Sequence, residues 1–91
     1  MKLYHFNGAC NCSGKRIRAA REKRGFSQEQ LAAKMQIDGL EIMQRAISRV
    51  ETGARVVPDY ELPFYARALG VRVLWLLGLE DESGDDAIDQ S

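Results

Sequence analysis

The stretch MQRAISRVETGAR, residues 43–55, carries two kinds of side chain at helical spacing. Met43, Ala46, Ile47 and Val50 fall at i, i+3, i+4 and i+7, the pattern of one apolar helix face. Gln44, Arg45, Ser48, Arg49 and Thr52 fall on the opposite side. Their amides, guanidinium groups and hydroxyls suit the donors and acceptors of base edges in a DNA major groove. Gln matches adenine and Arg matches guanine as two-pronged partners, each worth about 1–3 kcal/mol of discrimination. A helix surface turned to water uses the same residue types, so the rest of the chain has to decide.

The formal net charge is zero, thirteen Lys and Arg against thirteen Asp and Glu. That balance hides a division. The last twelve residues, EDESGDDAIDQS, hold six acids and no base. Residues 1–79 hold thirteen bases against seven acids, an excess of six. A basic body suits a polyanionic partner. The tail, residues 80–91, is too polar to bury anything and is expected to be disordered.

Ninety-one residues make one small domain with room for a core of four or five short helices. No run of about 18 apolar residues exists, so no membrane span is expected. The first residues lack a signal-peptide hydrophobic region, and the expected location is the cytoplasm. Catalysis finds no support. His5 is the only histidine, Ser48 has no base near it in sequence, and no glycine-rich phosphate loop occurs. Neither a cofactor nor a small-molecule ligand is expected. Cys10 and Cys12 lie too close in sequence for an unstrained disulfide with each other and are expected as reduced thiols. With His5 they offer three metal ligands at most, where a closed zinc site needs four, so no metal is expected.

The elements that hold residues 43–55 in place can be read along the chain. The head, residues 1–13, has no periodicity and is irregular; it is either flexible or laid against the domain. GKRIRAAREKR, from Gly14 to Arg24, reads as a helix with Ile17 and Ala20 inward and Arg21 at their flank, closed by Gly25. Ser27 to Gln30 reads as a capping box, Ser at the N-cap and Gln at N3. Leu31, Ala32 and Met35 face inward in the helix that follows. Residues 36–42, QIDGLEI, break the pattern at the turn signal Asp38-Gly39. A third helix runs from Met43 to Thr52 and closes at Gly53. Asp59 is expected to cap a fourth helix through Leu69, with Pro63 in its first turn. Its inner face is Leu62, Tyr65, Ala66 and Leu69. VRVLWLLGL, residues 71–79, reads as a short apolar last helix. The fold class is all-α.

Two short helices joined by a turn, the second with a polar outer face, form a helix-turn-helix. GKRIRAAREKRGFSQEQLAAKM, then ISRVETGARVVPDYELPFYARALGVRVLWLLG, resembles the Cro and lambda-repressor type, the XRE-like regulators, over residues 14–79. The signature is dispersed: R-G-F-S-Q-E-Q-L-A, I-S-R-V-E-T-G, and A-L-G-V followed by W-L-L. The resemblance implies a compact five-helix bundle that binds double-stranded operator DNA, usually as a dimer, and regulates transcription. It implies that Gln28 touches a phosphate and braces the recognition helix. Gln44, Arg45, Ser48 and Arg49 match the outward reading positions. Arg55, just after that helix, would meet backbone phosphate, with Lys15 and Arg16 as further phosphate candidates. Glu51 continues the inner face, where a carboxylate is costly unless paired. The matching partner in the family is an arginine of the first helix, here Arg21.

Three features depart from the family pattern. The connector at 36–42 is longer than usual, and Met43 replaces the common Ser or Thr cap. Asp38 with Glu41 offers an alternative, earlier helix start. Leu74 stands where related sequences are polar. Together with Val73, Trp75, Leu76 and Leu77 it makes the last helix too apolar to bury on all sides. Leu74 and Leu77 are therefore expected at a homodimer interface. The rival reading is a protein-interaction module on the same fold, antitoxin-like or a phage accessory protein, without specific DNA binding. The cationic outer face of residues 44–49 speaks against it.

Overall fold

The computed structural model describes residues 8–82. Among them lie five α-helices and no extended strand: α1 (Gly14–Lys23), α2 (Gln28–Ile37), α3 (Gln44–Glu51), α4 (Leu62–Leu69) and α5 (Val73–Leu76), with a single 3-10 turn (Asp59–Glu61) before α4. His5 and residues 83–91, most of the acidic tail, lie outside the described residues.

The helices begin and end on local chemistry. Ser27 accepts from the Gln30 backbone N–H at 3.0 Å, and the Gln30 side chain accepts from the Ser27 N–H at 2.8 Å. This reciprocal cap satisfies two donors that a helix start leaves open. Four helices end alike. After α1, α2, α3 and α5 the chain turns through a glycine, Gly25, Gly39, Gly53 and Gly78, each with positive φ. The glycine N–H and the next N–H return to carbonyls of the last turn, as in Gly53 to Val50 at 3.1 Å and Ala54 to Arg49 at 2.7 Å. This double closure satisfies carbonyls that a helix end otherwise exposes.

Ile17 from α1, Leu31 and Met35 from α2, Ile47 and Val50 from α3, Tyr65 and Leu69 from α4 and Leu76 from α5 are fully buried in one core. Burying a side chain of this size contributes about 1.5–3 kcal/mol. The wall of this core that α3 covers fixes which of its faces can point outward.

Several boundaries differ from the sequence expectation. Helix α2 runs two residues further, through Ile37. Asp38 is its C-cap and pairs with Arg67 at 2.7 Å, so it does not start a helix. The connector is then shorter than expected, and Ile42 plugs it into the core. Helix α3 starts at Gln44. Met43 is its N-cap, with extended backbone and 68% exposure, and does not belong to the inner face. Asp59 supplies no side-chain cap; it opens the 3-10 turn. The last helix is one turn long, because Val71 stays outside it, Arg72 is its extended N-cap and residues 77–79 form the closing turn.

The head does lie against the domain, as far as it is described. The Cys10 N–H donates to the Gly53 carbonyl at 2.8 Å. Ser13 is buried at the start of α1.

Candidate nucleic-acid interface

The inner and outer faces of α3 are held apart by a polar network at its base. Arg21 on α1 donates through Nε to Glu51 Oε2 at 2.6 Å and through Nη2 to Oε1 at 3.0 Å. Its Nη1 donates to the Phe26 carbonyl at 2.7 Å. Gln28, at the start of α2, donates to Glu51 Oε1 at 3.0 Å and accepts from Gln44 Nε2 at 2.6 Å. Three helices meet through four side chains. The side chains of Arg21 and Glu51 are 12% and 3% exposed, so water screens the pair little. The hydrogen bond to Glu51 holds the Arg21 guanidinium charged even more firmly than usual.

A second pair stands beside it. Arg55 donates to both oxygens of Glu61, at 2.9 and 3.1 Å, and Glu61 is buried. Arg55 is half-buried and its charge is strengthened by that hydrogen bond. Burial pushes the nearby Tyr65 phenol up, with the Glu61 charge adding to the effect.

On the outer face the picture changes. Met43, Gln44, Arg45, Ala46, Arg49 and Arg55 line one open concavity. Arg45 and Arg49 are exposed, one helical turn apart. Ser48 is half-buried between them and the core.

The chain has nine arginines, all among the described residues, and seven are engaged internally. Arg16 donates to the carbonyls of Trp75 and Glu80 and lies over the Trp75 ring, 5.0 Å from its centre. It closes the end of α5, which takes it away from the phosphate role expected for it. Arg24 donates to the Leu69 carbonyl at 3.0 Å and closes α4. Arg18 and Arg67 pair with Glu22 and Asp38, and Arg72 pairs with Glu80. Arg45 and Arg49 alone have no side-chain partner among the described residues. Lys15 is exposed at the start of α1 and borders a shallow cavity with Thr52 and Gly53.

One contributor carries no signal that sequence reading could use. Asn11 donates through Nδ2 to the Val50 carbonyl at 3.0 Å and to the Arg55 carbonyl at 2.7 Å. Its Oδ1 accepts from the Gly14 N–H at 2.7 Å. All three partners are backbone groups, and two lie about forty positions away, so no local pattern announces them.

Cys10 and Cys12 are free thiols. Among the described residues, no three His, Cys, Asp or Glu side chains are grouped to hold a metal ion, and no helix is long and apolar enough to cross a membrane. Leu74 is 48% exposed and Leu77 half-buried on one side of α5.

A family model described as helix-turn-helix matches residues 17–76, from the first core residue of α1 to the last residue of α5. No curated protein matches the chain. With its five helices, its capped second helix and the polar face of its third, the chain belongs to the XRE-like, Cro and lambda-repressor type of helix-turn-helix family, whose members are DNA-binding regulators of transcription.

Proposed function

We propose that this protein is a sequence-specific, repressor-like regulator that lays α3 in the major groove of its operator. Arg45 and Arg49 read guanines, Gln44 and Ser48 read adjacent base edges, and Gln28 and Arg55 meet the backbone on either side. The observation that supports this most is the division among the arginines. A fold that engages seven of nine and leaves two together on one outer helix face keeps those two for a partner outside itself. Two planar forks one turn apart suit two base edges.

Gln28 has both its amide groups engaged with Glu51 and Gln44. Its bracing of α3 is therefore direct, and a phosphate contact uses its remaining donor. Arg55 reaches a phosphate only while holding Glu61, which makes it a fixed rather than a searching cation.

The active form is a homodimer joined through the α5 end, where Leu74 and Leu77 offer apolar surface next to the exposed Leu79. A two-fold pair would set its reading helices about one DNA turn, roughly 34 Å, apart. Occupying the operator is enough for repression.

The test is selection of binding sites from a randomised duplex pool, followed by affinity measurements on the selected and a scrambled duplex. The selected duplex should be palindromic and win by about a thousandfold. Arg49→Ala should lose about 1–3 kcal/mol on the selected duplex and little on the scrambled one. Leu74→Glu should shift sedimentation toward the monomer and weaken the selected duplex alone. Weak binding that ignores both sequence and Arg49 would instead favour a protein partner for this face.

A further inference from the structure

We propose that Asn11 is a positioning residue for the reading helix, so that DNA selectivity depends on a head segment lying outside the helix-turn-helix match. The inference rests on the reading of α3 given above. It starts from where the three hydrogen bonds of Asn11 go. One ends on the carbonyl of Val50, the residue after Arg49. One ends on the carbonyl of Arg55. The third ties the same side chain to the start of α1 through the Gly14 N–H. A single amide thus fixes the last turn of α3, the loop that follows it and the start of α1 in one geometry.

Arg21 ties the same turn to α1 through the Glu51 side chain; Asn11 holds its backbone and extends the tie to the loop that follows. The Arg49 and Val50 carbonyls otherwise see only the closing turn of their own helix, through Ala54, Thr52 and Gly53. An eight-residue helix has little intrinsic stability, and its last turn frays first. Arg49 stands in that turn. Around Asn11 the contacts are close. A side chain at Gly14 would overlap the Val50 carbonyl, and one at Gly53 would meet the Ala9 methyl at 2.8 Å. The Cys10 N–H adds a bond to the Gly53 carbonyl. The head therefore locks the backbone at the end of α3, where the Arg21–Glu51 pair holds the side chain.

Asn11 lies ahead of the matched family region, which begins at Ile17, while the Val50 and Arg55 carbonyls it holds lie within it. A loose last turn would cost a guanidinium fork its aim before it cost the protein its charge. The effect of losing Asn11 falls on selectivity more than on overall grip.

The experiment uses the full chain with Asn11→Ala and Asn11→Asp. The aspartate keeps the shape and the Gly14 contact but sets a carboxylate against both carbonyls, while the alanine removes all three bonds without that repulsion; hydrogen exchange on whichever variant folds keeps the test open. Affinities are measured on the duplex selected by the unaltered protein and on its scrambled control, at a temperature where each variant is folded. Amide hydrogen exchange is followed along α3. The expected result is a loss of about tenfold on the selected duplex with the scrambled one nearly unchanged. Exchange should quicken at residues 52–55 while α1 and α2 keep their protection. A lowered melting temperature with an unchanged selectivity ratio would make Asn11 merely structural and overturn the proposal. If the unaltered protein selects no sequence, the proposed function fails separately. Exchange then decides the positioning claim alone: unchanged protection at residues 52–55 sinks it, and selective loss there sustains it.

Discussion

Glu51 shows how one carboxylate can serve a fold and a surface together. Its oxygens accept twice from Arg21 and once from Gln28, and Gln28 in turn accepts from Gln44 at the start of α3. Glu51→Ala would leave the Arg21 guanidinium nearly buried without its counter-charge. We expect a loss of about 3–5 kcal/mol, read as a lower urea midpoint with an unchanged slope. That an acid follows Val50 on an inner face is visible in the sequence and demands a cation. The roles of Arg16, Arg55 and Asn11 are not visible in the same way. Their partners are the Trp75 and Glu80 carbonyls, the buried Glu61, and the Val50 and Arg55 carbonyls. A long polar side chain written in sequence carries no mark of which distant backbone group it will meet.

At the level of helices, only the starts and stops set by chemistry a few residues long were legible. Ser27 with Gln30, and the glycines after α1 and α3, act within a few residues of themselves, so their chemistry is local. The lengths of α2 and α5 were not legible, because neither end is decided locally. Ile37 extends α2 although it is exposed, while Val71 leaves the helical pattern to fill the core. The glycine turns also differ in their surroundings. Gly25 and Gly53 share a left-handed backbone, which costs an L-residue about 1–2 kcal/mol. A Cβ at Gly25 meets open space, but one at Gly53 runs into Ala9. Gly53→Ala should therefore lower the thermal midpoint more than Gly25→Ala. An equal drop in both would mean that the head does not press on that turn.

Taken whole, the chain divides its charge between cohesion and contact. The excess of bases over acids in residues 1–79 overstates the charge offered to DNA, because most of the arginines close helix ends or pair with acids. Lys15 and Arg16 are neighbours and test this directly. Binding of this kind loses affinity with salt at a slope near 0.9 per phosphate neutralised. Lys15→Ala should flatten that slope by about one unit, as a phosphate contact would. Arg16→Ala should leave the slope alone and lower stability instead, since it closes α5 against Trp75. A protein that keeps so many of its cations for its own structure grips random sequence weakly. On the proposed function, it should spend little time gliding along the duplex and find its site mostly by fresh collisions from solution. Its response time should then follow its own copy number more closely than the length of DNA flanking the target.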